Sequence, residues 1–181
     1  MDLISFNKKS EGVYIASQAI VKSNKSLVKK LSRIVRDGHR DSGRLLLHKS
    51  TEDTLHQMII THSGGVYIRP HINLASDKSW HVIEGELIFV KFDGAGDINE
   101  FFKIGSYDSG LPFIVRLCEK VFHTLIPLTK HTVILETILG PFQESRYADW
   151  APLTTDVKVA KIYFDDICKK VGAKFDKQQR I

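Results

Sequence analysis

The sequence predicts an all-β fold, an antiparallel barrel or jelly roll flanked by two α-helices, and three observations carry that reading. From about Arg44 to Phe142, short apolar-rich stretches alternate with turn residues at the intervals of a sandwich or barrel. On either side lies one segment with helical periodicity. No internal repeat or low-complexity linker divides the 181 residues, whose 43 % hydrophobic content suits one compact domain, 1–181.

In chain order, "KSNKSLVKKLSRIVRDGHR" comes first and places Leu27, Val28, Leu31, Ile34 and Val35 on one helical face over about 26–36. Ser26 is the expected N-cap, and Gly38 lies just past the end. Lys29, Lys30, Arg33 and Arg36 fall on the outer side. With no aromatic interleaving beside them they read as a solvated helix face, and no nucleic-acid partner is expected despite the net charge of +5.

The strands follow in "LHQMIITH", "GVYIRPHI", "WHVIEGELIFVKFD", "INEFFKIG", "FIVRL", "HTLIPL" and "HTVILETILG". "FDGAGD" at 92–97 is a hairpin turn by composition, and Glu84-Gly85 reads as a tight bend or bulge inside a long hairpin arm. A second amphipathic helix is expected over about 155–171, capped by Thr154 or Thr155 and stopped by Gly172. The remaining "AKFDKQQRI" is polar and reads as a loose tail.

Several function classes lack support. Cys118 and Cys168 show no C-x-x-C spacing, so neither a disulfide framework nor a zinc knuckle is suggested. No run of 18 apolar residues occurs, and "MDLISFNKKSEG" has no long apolar leader, so a cytoplasmic protein with no membrane span is expected. Phosphate-cradling loops, the dinucleotide glycine fingerprint, G-x-S-x-G and H-E-x-x-H are all missing, which leaves phosphoryl transfer, hydride transfer and hydrolytic serine or zinc chemistry without a motif.

The stretch from Gly64 to Leu87 carries the chemistry. Its spacing resembles the first cupin motif, with Gly65, His71, Asn73, Lys78 and Gly85 at the positions where the family has Gly, His, His, Glu and Gly. His123 in "CEKVFHTLIPL" stands where the second motif brings a further histidine. The segments "RLLLH", "LHQMII", "YIRPH", "WHVIEGEL", "FHTLIPL", "ETILGPF" and "WAPL" more closely resemble the WbuC-type cupin-fold metalloproteins, in order, through about a hundred residues. That resemblance implies a divalent transition metal (zinc, iron, manganese or nickel) and a sugar or nucleotide-sugar substrate in surface polysaccharide (O-antigen) biosynthesis. It leaves a homodimer open.

The departures from the pattern are chemical. Asn73 replaces an imidazole with a weaker neutral oxygen donor, and Lys78 puts an ammonium at the carboxylate position. The expected metal ligands are therefore His71, Asn73 and His123. His81 is a third imidazole if a bulge in "NLASDKS" turns it inward, and otherwise an ordinary half-buried histidine, since strand alternation alone points it away from Lys78. Glu136 is the candidate catalytic acid or base, or a group that orients an imidazole or pairs with an arginine. Tyr67, Arg69 and Arg116 are the candidate substrate-binding residues. Tyr67 either stacks on a sugar or fills the barrel mouth, and Arg69 either holds a carboxylate or phosphate or makes a surface ion pair. His48, His56, His62 and His131 show no ligand spacing and read as surface or packing residues. Two functions remain: a metal-dependent cupin enzyme, and a non-catalytic small-molecule or carbohydrate-binding cupin with a degenerate metal site.

Overall fold

In the computed structural model, which describes residues 5–74 and 77–175, the chain forms twelve strands and two α-helices. Two strands precede the first helix: β1 (Phe6–Ser10) and β2 (Val13–Ala16). Helix α1 (Lys25–Asp37) leads into β3 (Ser42–Leu46), β4 (Leu55–Ser63), β5 (His71–Ile72), β6 (Lys78–Glu84), β7 (Glu86–Phe92) and β8 (Ile98–Gly105). After a 3-10 turn at Tyr107–Ser109 come β9 (Ile114–Leu117), β10 (Phe122–Pro127), β11 (His131–Leu139), β12 (Arg146–Tyr147) and helix α2 (Val157–Lys170).

The strands build two sheets, ordered β1-β2-β3-β4-β11-β6-β9 and β12-β5-β10-β7-β8. All pairings are antiparallel except β2 with β3, so the expected antiparallel barrel is a jelly roll with one parallel pair at its N-terminal edge. β1 and β2 extend the first sheet before the expected boundary of 44, and β12 extends the second past 142; the sequence reading missed all three. The polar run "FNKKS" exposes four of its five residues, so it has no alternating apolar signal to find.

Alternation sorts side chains onto three layers. Leu45, Ile59 and Val133 pack outward from the first sheet against Leu27, Val28 and Leu31 of α1. Ile88, Val90 and Ile126 pack outward from the second sheet against Phe164, Ile167 and Cys168 of α2. Between the sheets Ile60, Trp80, Val82, Leu87, Phe89, Leu125 and Ile134 form the barrel's own core. Each helix is thus held by one apolar stripe on one sheet face, as amphipathic periodicity requires.

Three local expectations need correction. Helix α1 is capped by Asn24, whose side chain accepts from the Leu27 amide, and not by Ser26. Helix α2 is capped by Asp156, accepting from Val159, one residue past the expected threonines. Glu84-Gly85 is the expected tight bend, with a register shift beside it, but it is a corner and not part of a hairpin arm, because β6 pairs in the first sheet and β7 in the second. At Gly85 the φ of +85° and the approach of Thr129 Oγ1 and the His131 carbonyl leave no room for a side chain. The turn at 92–97 forms as expected, with Asp93 Oδ1 accepting from the amides of Ala95, Gly96 and Asp97. The remote end of the expected loose tail, 176–181, and residues 75–76 of the expected bulge lie outside the described residues.

Candidate functional site

A cavity of about 780 Å³ opens between the sheets. Register explains its lining. Directly opposed residues of neighbouring antiparallel strands share a face, and Glu136 on β11 lies opposite Met58 on β4 and Trp80 on β6. Lys78, two residues from Trp80, falls on that same interior face, as its 5 % exposure confirms.

His71 and His123 face each other as directly paired residues of β5 and β10, with ring centroids 4.7 Å apart. Each ring is fixed in the same way. The Nδ1–H of His71 donates to the Arg69 carbonyl at 3.0 Å, and that of His123 to the Val121 carbonyl at 3.0 Å. Since a carbonyl only accepts, both rings carry their proton on Nδ1 and offer the Nε2 lone pair. Trp80 at 5.4 Å and Phe89 at 6.0 Å enclose the His123 ring. Burial first, then the charge of Lys78, pushes His71 down to about 4 and His123 down to about 3, so both are neutral at pH 7.

Lys78 stands among these groups as an ammonium already in use. Its Nζ lies 2.9 Å from Glu136 Oε2, donates to Asn73 Oδ1 at 2.7 Å and sits 5.0 Å from the Trp80 ring centroid. The Trp80 indole N–H also donates to Glu136 Oε2, at 2.8 Å, and Asn73 in turn donates to Ser145 Oγ. Burial alone would raise the Glu136 carboxyl, but the Lys78 charge and the two hydrogen bonds outweigh it and bring it down to about 2. Glu136 is therefore a fixed anion at neutral pH, and as a general acid or base it is poorly matched to the medium.

This donor set does not fit the divalent transition metal that the sequence resemblance implies. Two lone pairs are present, but Asn73 Oδ1 and Glu136 Oε2 are committed to a positive charge lodged beside them. An ion entering there would meet an ammonium at close range in a poorly screened interior. Among the described residues no group of three or more His, Cys, Asp or Glu is arranged to hold a metal.

The remaining site residues of the sequence reading divide cleanly. His81 points away from the cavity, packing on Phe113 at 5.4 Å, because Lys78, Trp80 and Val82 take the inward positions. Arg116, opposite the outward Ser79, pairs on the surface with Asp77 at 3.1 Å. Tyr67 and Arg69 line the cavity wall, but their polar ends are committed to backbone. The Tyr67 hydroxyl donates to the Pro152 carbonyl, while Arg69 Nε donates to Ala151 and its terminal nitrogen to Ala148. They tie the 148–152 segment to the barrel end. Conversely, Arg44, His56 and His62 line the cavity although no spacing marks them. They alternate on β3 and β4, a signal that becomes readable only once β4 is known to lie beside β11.

A jelly roll of two facing sheets, with polar groups gathered on its interior wall, defines a cupin-type barrel, or double-stranded β-helix. A solved protein with a double-stranded β-helix domain from Klebsiella pneumoniae shares the fold, at 13 % identity over 79 % of this chain and 98 % of that one, with a TM-score of 0.52. Also similar are a cupin superfamily protein from Desulfitobacterium hafniense (12 % identity, 54 % and 76 % coverage, TM-score 0.43) and oxalate decarboxylase from Bacillus subtilis, a protein with Mn(II) centres (14 %, 62 % and 30 %, 0.44). Residues 23–104 match the family model described as a domain of unknown function, DUF6016. No curated protein matches the chain.

Proposed function

We propose that this chain is a metal-independent cupin that binds a small polyhydroxylated molecule, a sugar or the sugar end of a nucleotide-sugar, between its sheets. The observation that carries the reading is the Lys78–Glu136 ion pair, 5 % and 14 % exposed, standing in the cavity beside the Nε2 faces of two neutral imidazoles. Such a wall offers lone pairs, an ammonium, a carboxylate and an aromatic ring at fixed positions. Hydroxyl groups, which both donate and accept, complement such a set. The sugar class comes from the sequence resemblance to the WbuC type, as does a place in surface polysaccharide synthesis. A carboxylate held ionised by Lys78 and the Trp80 indole is a poor general acid or base, which favours binding over acid–base catalysis.

Calorimetric titration of the full chain with monosaccharides and nucleotide-sugars, in EDTA and again with added manganese or zinc, tests this. The expected result is a saturable heat for at least one sugar, unchanged by the chelator. A requirement for metal, or no binding by any sugar, overturns it.

A further inference from the structure

The cavity wall also carries polar groups on β3 and β4, within electrostatic reach of Glu136. Antiparallel pairing sets Ser42 opposite His62 and Arg44 opposite Ile60, and all four residues line the cavity. His62 is 6 % exposed, and its Nδ1 has no hydrogen-bond partner among the described residues. The Arg44 guanidinium, exposed at the mouth, makes no ion pair or side-chain hydrogen bond among them either. On the deep wall His123 is 1 % exposed, and its Nε2 lone pair is likewise unpartnered. Buried polar atoms without partners are costly, at about 1–3 kcal/mol each. His62 Nδ1 and His123 Nε2 are two such atoms on one cavity, and with the exposed Arg44 guanidinium they describe the shape of what it takes.

The charges sharpen the description. Lys78 and Glu136 cancel each other. Asp41 and Glu144 lie exposed on the rim, where water screens them. Burial and then the Arg44 charge push His62 down to about 4, so it is a neutral partner to Arg44, a cation without an ion pair among the described residues. A planar guanidinium beside a neutral imidazole whose Nδ1 can carry the ring proton suits a carboxylate or phosphate, and a lone pair on a neutral imidazole suits a hydroxyl donor.

We propose that the cavity takes a hydroxylated oxyanion of the sugar-acid or sugar-phosphate kind, its carboxylate or phosphate on Arg44 beside His62 and a hydroxyl donating to Nε2 of His123. This rests on the cavity being the ligand site and adds the ligand's charge and orientation.

The test is calorimetric titration of the full chain, wild type, Arg44→Gln and Arg44→Lys, with four probes: glucose, glucuronate, glucose 1-phosphate and tartrate. Circular dichroism checks that each variant is folded. Glucuronate or glucose 1-phosphate binding about tenfold or more tightly than glucose, with the advantage lost in Arg44→Gln and partly kept in Arg44→Lys, is the expected result. Tartrate binding through Arg44 while all three sugar probes fail upholds the oxyanion subsite and sinks the sugar reading. Glucose binding as well as its acidic relatives, indifferent to Arg44→Gln, overturns the subsite and leaves the sugar reading standing. No binding by any probe overturns both.

Discussion

Lys78 and Glu136 form a pair whose members cannot be removed separately without consequence. Lys78→Met leaves a carboxylate in the interior with the Trp80 indole as its one remaining hydrogen-bond donor among the described residues, and a broken buried pair costs about 3–5 kcal/mol. In Lys78→Met/Glu136→Gln no charge remains, and the amide oxygen still accepts from Trp80. The double variant is expected to recover most of that loss in urea denaturation, whereas equal midpoints for single and double variants would show that the two groups are not coupled. The resemblance to the first cupin motif places Lys78 at that motif's carboxylate position. Its inward direction was not legible, because "NLASDKS" has turn-forming composition and alternation cannot be counted through it. The same ambiguity kept His81 in the candidate set. For Arg69 and Tyr67 the sequence leaves ligand binding open beside an ion pair or packing, because their actual carbonyl partners at 148–152 are about eighty positions away in sequence.

The helices and most strands were legible because their periodicities are strong and their boundaries carry turn residues. Caps were misplaced by one or two residues, since Asn24, Ser26, Thr154, Thr155 and Asp156 are all chemically able to cap and only the local backbone chooses. Asn24→Ala is expected to cost about 1 kcal/mol, because it frees the Leu27 amide at the start of α1. Ser26→Ala should cost little by comparison, and the reverse order in thermal denaturation would reject the assigned cap. At the corner between β6 and β7, Gly85→Ala forces a Cβ into the His131 carbonyl at 2.7 Å with an unfavourable positive φ. A loss of several kcal/mol, or failure to fold, is expected there. The cavity's polar wall on β3 and β4 was invisible at this scale, because Arg44, His56 and His62 acquire a common face only through the order β3-β4-β11.

For the molecule as a whole, the buried imidazoles set its response to acid. Below about pH 6.5 the unfolded chain binds protons on His62 and His123, but the folded chain resists until about 4 and about 3, with burial the leading cause in both. Folding stability therefore falls as pH falls, by about 1.4 kcal/mol per pH unit for each of these two residues across that window. Glu136, whose folded value of about 2 lies below its ordinary 4.5, contributes its share above 4.5 and loses it as pH drops toward 2. Urea midpoints should decline steadily from pH 7 to pH 5, and His62→Gln should flatten the decline. A flat wild-type profile would mean that these imidazoles are not buried neutral. The central claim is that an ammonium and its carboxylate occupy the place where a cupin barrel is expected to hold a metal ion. It is tested most directly by measuring the metal content of protein purified without an affinity tag, before and after incubation with manganese, iron and zinc, for wild type and Lys78→Glu. Trace metal in the wild type throughout, with stoichiometric uptake gained by Lys78→Glu as a carboxylate joins His71, His123 and Glu136, is the predicted result. One tightly held transition metal per wild-type chain would contradict it.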